Sequence, residues 1–232
     1  MTGKIIDLET MGASDGPGVR LVLFLSGCKL RCLYCHNPES WNIQGFRREI
    51  TSDEVLNLYN KYKVYYGNNG GVTFSGGEPL LQSEFVFETI KLLKQYNIHT
   101  ALDTSGVGDD YDEVLKLVDL VILDVKAVDE DEYKMLTGRT LDDFNQFLDK
   151  CQSLNKKLWL RQVIVPGIND DEEHVLKLKH FASNLSNVER IELLPYHSMG
   201  KSKYKDLGIK YRLDTTPDMD KERCKQLEQL LK

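Results

Sequence analysis

A single α/β domain, built as a partial, TIM-like (β/α)6 barrel, is the fold this sequence predicts, and three observations predict it. β-rich runs alternate with helical patterns along nearly the whole chain, with turn residues at most junctions, as in βα units around a parallel sheet. Six such strands can be counted in 232 residues, whereas a closed eight-unit barrel takes about 250. The G-x-G-x-x-G fingerprint that a doubly wound dinucleotide-binding sheet carries after its first strand is absent, which makes that flat sheet the runner-up.

The elements follow in order. Val19–Ser26 is an apolar, β-branched run that leads into a loop with three cysteines. A helix is predicted over Ser52–Tyr66, with Ser52 as N-cap and Val55, Leu56, Leu58 and Tyr59 on its apolar side. Gly71–Ser75 (strand), Ser83–Tyr96 (helix), His99–Thr104 (strand) and Asp110–Leu117 (helix) come next. Leu120–Lys126 is the fourth strand, followed by a helical stretch from Glu130 and another over Leu141–Leu154. Leu158–Val165 (strand), Asp170–Leu185 (helix), Val188–Tyr196 (strand) and a last helix over Lys221–Leu231 complete the series. No linker divides the chain, so one core domain with short N-terminal and C-terminal extensions is expected over residues 1–232.

Composition narrows the class. A formal charge of −6 with both signs interspersed shows no basic stripe, so nucleic acid is not an expected partner. The opening MTGKIIDLETMG lacks a basic region followed by an apolar one, and the longest apolar runs, such as Leu21–Leu25, are strand-sized. A cytoplasmic monomer that does not touch membranes is the expectation. Five cysteines without a secretory signal argue against a disulfide framework. Cys151 and Cys224 stand alone in helical patterns and read as packing residues.

In parallel α/β folds chemistry gathers where the strands end. Strand one ends in Gly27 and the cysteine loop, and strand two runs into Ser75-Gly76-Gly77-Glu78-Pro79. Strand three ends in Asp103-Thr104-Ser105-Gly106, and strand four carries Asp124 and Lys126, two apart and so on one face. Arg161 lies in strand five, and strand six finishes at Pro195-Tyr196-His197. Each has an ordinary structural explanation alone; together at one rim with a cysteine cluster they describe a functional mouth.

The cluster is Cys28, Cys32 and Cys35 in GCKLRCLYCHNP. A c-type haem on Cys32-Leu33-Tyr34-Cys35-His36 would need an exported chain and leaves Cys28 without a role. A thioredoxin-like pair also leaves it surplus. Zinc with His36 as fourth ligand stays open, although ligands adjacent in sequence suit a tetrahedral site poorly. A [4Fe–4S] cluster with three thiolates fits better, because each iron takes one cysteine and the fourth is left free to bind something else. Lys29 and Arg31 inside the loop would offset an anionic cluster.

C-x3-C-x2-C after a first strand resembles the signature of radical S-adenosylmethionine (SAM) enzymes, and Gly76-Gly77-Glu78-Pro79 looks like their GGE motif. With Asp15-Gly16-Pro17-Gly18-Val19-Arg20, the stretch Cys28 to Trp41, Leu123-Asp124-Val125-Lys126 and Leu193-Leu194-Pro195-Tyr196-His197, the chain resembles the glycyl-radical-enzyme activating family over nearly its full length. That likeness implies an oxidoreductase in which Cys28, Cys32 and Cys35 hold one [4Fe–4S] cluster. It implies SAM contacts from Tyr34, Cys35, His36, Gly76, Gly77, Glu78, Asp103, Asp124, Val125, Lys126, Arg161 and His197, with Glu78 accepting from the methionyl ammonium. Asp103, Thr104 and Asp124 would hold a monovalent cation, and Asp15, in a turn placed near the same rim, would contact the partner. The reaction implied is reductive cleavage of SAM to a 5′-deoxyadenosyl radical that takes hydrogen from a backbone glycine. Asn37 to Gly70 contains no cysteine, so no auxiliary cluster is expected. Pyruvate formate-lyase, or a close keto-acid formate-lyase relative, is then the expected partner, with flavodoxin or ferredoxin as reductant. The alternatives are another radical SAM reaction, on a different glycyl-radical enzyme or a small molecule, and a non-enzymatic zinc-binding domain.

Overall fold

The computed structural model describes residues 1–231. Eight strands form one sheet in the order β3-β1-β2-β4-β5-β6-β7-β8. The six expected strands are β2 (Arg20–Leu25), β4 (Gly71–Gly76), β5 (His99–Thr104), β6 (Leu120–Asp124), β7 (Leu158–Ile164) and β8 (Val188–Pro195). All six run parallel. Two further strands extend the β2 edge in antiparallel sense and were not expected: β1 (Thr2–Gly12) and the four-residue β3 (Arg48–Thr51). Because β3 and β8 stay unpaired at the two edges, the barrel is open on one side.

The helices connecting the strands are α1 (Ser52–Tyr66), α2 (Ser83–Lys94), α3 (Asp112–Leu117), α4 (Glu130–Thr137), α5 (Asp142–Ser153) and α6 (Glu172–Ser183). Beyond β8 come a short α7 (Lys201–Asp206), absent from the expected elements, and α8 (Lys221–Gln229). Helix α1 has the expected bounds, but its cap is one residue earlier. Thr51 Oγ1 accepts from Glu54 N at 3.1 Å while Glu54 Oε2 accepts from Thr51 N at 2.7 Å, a reciprocal capping box.

Strand register decides what each face does. Leu21, Leu23 and Leu25 of β2, Val72 and Phe74 of β4, and Leu158 and Leu160 of β7 turn outward into the main core against the helices. The alternate residues line the concave face: Val22, Thr73, Ala101 and Leu120 fall in one row, and Ile122, Trp159 and Arg190 in the next. Ala101, Leu120, Ile122 and Trp159 make a second, small apolar cluster there, separate from the main core. Above it, toward the strand ends, the concave face turns polar with Ser75, Asp103, Asp124 and Arg161. Burial drives the outer layer, and the inner layer is left for chemistry.

Replacing Thr51 by alanine removes half of the capping box and should cost about 1 kcal/mol. In a chain of this size that lowers the melting temperature by about 2–4 °C, which calorimetry of the metal-free protein will measure.

Candidate active site

The loop after β2 is held from two sides before any side-chain chemistry is considered. Gly27 N donates to Ser40 O at 2.6 Å, closing its base. Its middle docks on the end of α4, where Arg31 N donates to Thr137 O and Leu33 N to Leu136 O, both at 2.9 Å. Those two carbonyls lack partners inside the helix, so the loop satisfies them.

Cys28, Cys32 and Cys35 line one cavity of about 180 Å³, together with Tyr34, His36, Gly76, Gly77, Asp103, Thr104, Asp124 and Lys126. All three thiols are free. Burial pushes Cys28 up to about 12 and Cys32 up to about 11, and raises Cys35 as well. Left alone these thiols stay protonated at neutral pH; only a bound cationic centre would hold them as thiolates. Among the described residues, no group of three His, Cys, Asp or Glu side chains gathers to hold a single metal ion. Thiols that ring a cavity without closing on one point suit a cluster with separate iron corners better than a lone zinc. The zinc reading would also need His36 beside the thiols, and among the described residues it does not gather with them, its Nε2–H donating instead to His197 O at 2.8 Å. The donor set therefore fits a [4Fe–4S] cluster.

Around the thiols the polar groups sort into two sides. On one, the Lys126 ammonium meets Asp124 Oδ2 at 2.6 Å and lies 5.7 Å from the Tyr34 ring centre. Burial opposes that charge, but Asp124 and the neighbouring Tyr34 and Cys32 outweigh it and hold Lys126 well above its usual value. Asp103 is pushed up to about 7 by burial and by Asp124, against the pull of Arg161 and the Ser75 hydroxyl, which donates to it at 2.7 Å. On the other side His36 and His197 stack with ring centroids 4.0 Å apart. Among the described residues, the Tyr34 hydroxyl on the cavity wall is buried without a hydrogen-bond partner, as is Nδ1 of His197, which stacks on His36 but does not itself line the cavity. Orphaned polar atoms at a cavity wall are what a bound ligand satisfies.

Not every expected residue faces the cavity. Glu78 is fully buried and already saturated: Thr104 Oγ1 and Leu80 N donate to Oε1 at 2.6 and 3.1 Å, and Ser105 Oγ and N donate to Oε2 at 2.6 and 2.9 Å. Instead of meeting a ligand's ammonium, this carboxylate braces the loop after β5. The Thr104 hydroxyl thereby faces Glu78, so of the expected cation set only the Asp103 and Asp124 carboxylates remain as side-chain donors. Val125 is buried, donates its N–H to Arg161 O at 2.8 Å and packs into the main core. Arg161 sits behind the two aspartates, donating Nε to Glu192 Oε2 at 3.0 Å and Nη2 to Ser14 O.

Asp15 reaches toward the rim from below, and its charge is among those that raise Asp103. Its turn precedes β2, at the opposite end of the sheet from the cysteine loop, and folds up the concave face. There Thr73 Oγ1 donates to Asp15 O at 2.7 Å and Arg20 Nη1 to Pro17 O at 2.9 Å. Gly76 and Gly77 do line the cavity, but their first constraint is internal. Gly76 has φ +114, and a Cβ there would sit 2.3 Å from Leu25 N; one on Gly77 would sit 2.3 Å from Gly27 O. Ser75, Asn37 and Ser40 also line the cavity and were not foreseen; for Ser75 the signal was its place just before the paired glycines.

A cysteine-lined cavity at the carboxyl ends of a partial parallel barrel defines an iron–sulfur enzyme of the radical type. The sequence profile of the radical SAM superfamily matches residues 22–178. The chain is 48% identical over 232 residues to a pyruvate formate-lyase-activating enzyme of Clostridium pasteurianum, covering 99% of this chain and 97% of that one. It is 44% identical to the same enzyme of Staphylococcus epidermidis, covering 97% and 94%. A solved domain of a pyruvate formate-lyase-activating enzyme from Bacteroides vulgatus matches with a TM-score of 0.56 at 27% identity, over 70% of this chain and 92% of that one. A radical SAM methyltransferase from Sphaerobacter thermophilus, 16% identical, shares the fold with a TM-score of 0.63, over 91% of this chain and 63% of that one. The chain belongs to the radical SAM superfamily, within the family of pyruvate formate-lyase-activating enzymes. One [4Fe–4S] cluster and SAM are the cofactors of that superfamily. Among the described residues no helix is long and apolar enough to cross a membrane.

Two predictions follow from this geometry. Glu78→Gln turns an amide N–H2 toward donors and should destabilise the metal-free chain by about 1–3 kcal/mol in urea titrations. Unchanged stability with a selective loss of SAM binding would return Glu78 to the ligand. Asp103 titrates near 3.8 without its surroundings and near 7 in place. Between those values the folded state keeps a proton the unfolded chain has released, so stability falls as pH rises from about 4 to about 7. Urea midpoints at pH 5 and pH 8 should show that decline, and Asp103→Asn should flatten it.

Proposed function

We propose that this chain activates a pyruvate formate-lyase by installing a glycyl radical on that enzyme's backbone. The observation that carries the reading is the placement of three half-buried thiols and a paired Asp124–Lys126 in one cavity, in a chain that matches such activases end to end. Cys28, Cys32 and Cys35 would hold the cluster, which when bound supplies the single electron that cleaves SAM.

The protein's own groups do the rest. Lys126, Asp124 and Asp103 offer both signs of charge to an amino-acid moiety, and the backbone at Gly76 and Gly77 forms the floor beside them. Tyr34 and the stacked His36 and His197 wall the adenosyl side. Closed packing on that side keeps water from a reactive carbon, and positioning one hydrogen near it is the main remaining task. The Asp15 turn lies along the open side of the barrel, where a glycine loop of the partner would enter. A small one-electron carrier, flavodoxin or ferredoxin, serves as reductant.

Anaerobic incubation of the reconstituted, reduced protein with SAM and a pyruvate formate-lyase should give a glycyl-radical doublet by electron paramagnetic resonance. SAM cleavage without that doublet would move the reading to another radical SAM substrate. Changing any one of Cys28, Cys32 or Cys35 to serine should abolish the signal. Cys151→Ser and Cys224→Ser, remote in the packed core, should leave it within about twofold.

A further inference from the structure

The face of the cysteine loop that turns away from the cavity carries three arginines from three separate segments. Arg31 donates Nη1 to Cys28 O at 2.8 Å and Leu30 O at 2.7 Å, and its guanidinium lies 4.8 Å from the Trp41 ring centre. Arg139, just past α4, donates Nε to Lys29 O at 3.4 Å. Arg212, between α7 and α8, donates Nη2 to Arg31 O. All three are exposed and none lines the cavity. The neighbouring cation of the loop, Lys29, is neutralised by Asp109 at 2.7 Å. Among the described residues, no carboxylate pairs with Arg31, Arg139 or Arg212.

Holding the loop does not require them, since α4 already anchors it through backbone bonds. Three unneutralised guanidiniums also run against a chain whose net charge is −6. Their field faces outward, over the Cys28–Arg31 carbonyls that lie between the first two cluster cysteines.

We infer that this collar is the docking surface for an acidic one-electron carrier protein. The inference rests on the function proposed above and assigns the reductant its own face, apart from the cavity mouth that the glycine substrate needs. At this step one electron leaves the carrier and enters the cluster, and no bond or proton changes. Complementary charge raises association rates and makes them sensitive to salt.

The test uses the cluster-loaded protein and a flavodoxin as the acidic probe. Reversing both charges, Arg139→Glu with Arg212→Glu, should weaken flavodoxin binding by about tenfold at low ionic strength and flatten its salt dependence. Arg139→Lys with Arg212→Lys keeps the charge without the fork and should bind within about threefold of wild type. Dithionite-driven glycyl-radical formation and the cluster's midpoint potential should be the same in all three proteins. Unchanged binding in the Glu pair overturns the inference. So does an equal loss in the Lys pair, which would make the arginines loop braces, or a shifted potential, which would make them tune the cluster. Failure of the underlying function looks different: wild type would bind flavodoxin yet give no glycyl radical with dithionite.

Discussion

The mouth of the barrel hangs on one buried carboxylate. Glu78 N donates to Gly27 O at 2.7 Å, tying the end of β4 to the end of β2, while its side chain gathers four donors, three of them from Thr104 and Ser105 at the end of β5. Three strand ends, one carrying the cysteines, one the paired glycines and one Asp103, are thereby fixed to each other through a single residue. Burial raises the pKa of that carboxyl, and the hydrogen bonds from Ser105, Thr104 and Leu80 oppose the shift. Among the described residues no cation pairs with it, so its stability depends on every donor being in place. That is why the glycines beside it are needed: the strands can approach closely enough for these bonds only where no side chain intervenes.

The same economy of space explains the cavity. A closed barrel fills its interior with side chains from all its strands. Here the sheet stops at β8, and the apolar part of the concave face is the small cluster of Ala101, Leu120, Ile122 and Trp159. The turn before β2 covers part of the remainder. It is drawn in by buried Arg20, which donates Nε to Thr73 Oγ1 at 2.6 Å and Nη2 to Val72 O at 2.9 Å, and by Arg161 on Ser14 O. Burial lowers Arg20 to about 10, so it keeps its charge at neutral pH even without a carboxylate on it.

What could be read from the sequence was whatever repeats or clusters locally. The six parallel strands showed themselves as apolar runs, and Cys28, Cys32 and Cys35 as a spacing. The strand β3 did not, because only Ile50 of its four residues is buried and nothing in Arg48–Thr51 alternates. β1 was missed for a related reason: its buried Ile5 and Ile6 are adjacent, and beyond them the strand alternates only between exposed and half-buried residues until Gly12. Glu78 and Asp15 were singled out as chemically interesting, but motif spacing says nothing about which way a side chain points. Glu78 turned into the protein, and the Asp15 turn lay at the other end of its strand. Arg139 and Arg212 carry no local signal at all, since only the fold brings them to the cysteine loop.

The charge arrangement around Asp124 and Lys126 bears on what the cavity can accept. The two already form a close ion pair, with Asp103 near its titration point beside them. An anion alone would take Lys126 and leave Asp124 buried without its cation; a cation alone would do the reverse. Either exchange strands a charge, which is the costly outcome for buried pairs. An α-amino acid brings one of each, so its carboxylate can meet Lys126 while its ammonium meets an aspartate. One ion pair becomes two and the net charge of the site is unchanged. A site built on that exchange selects a zwitterion by penalising everything else, and the methionyl end of SAM is such a zwitterion.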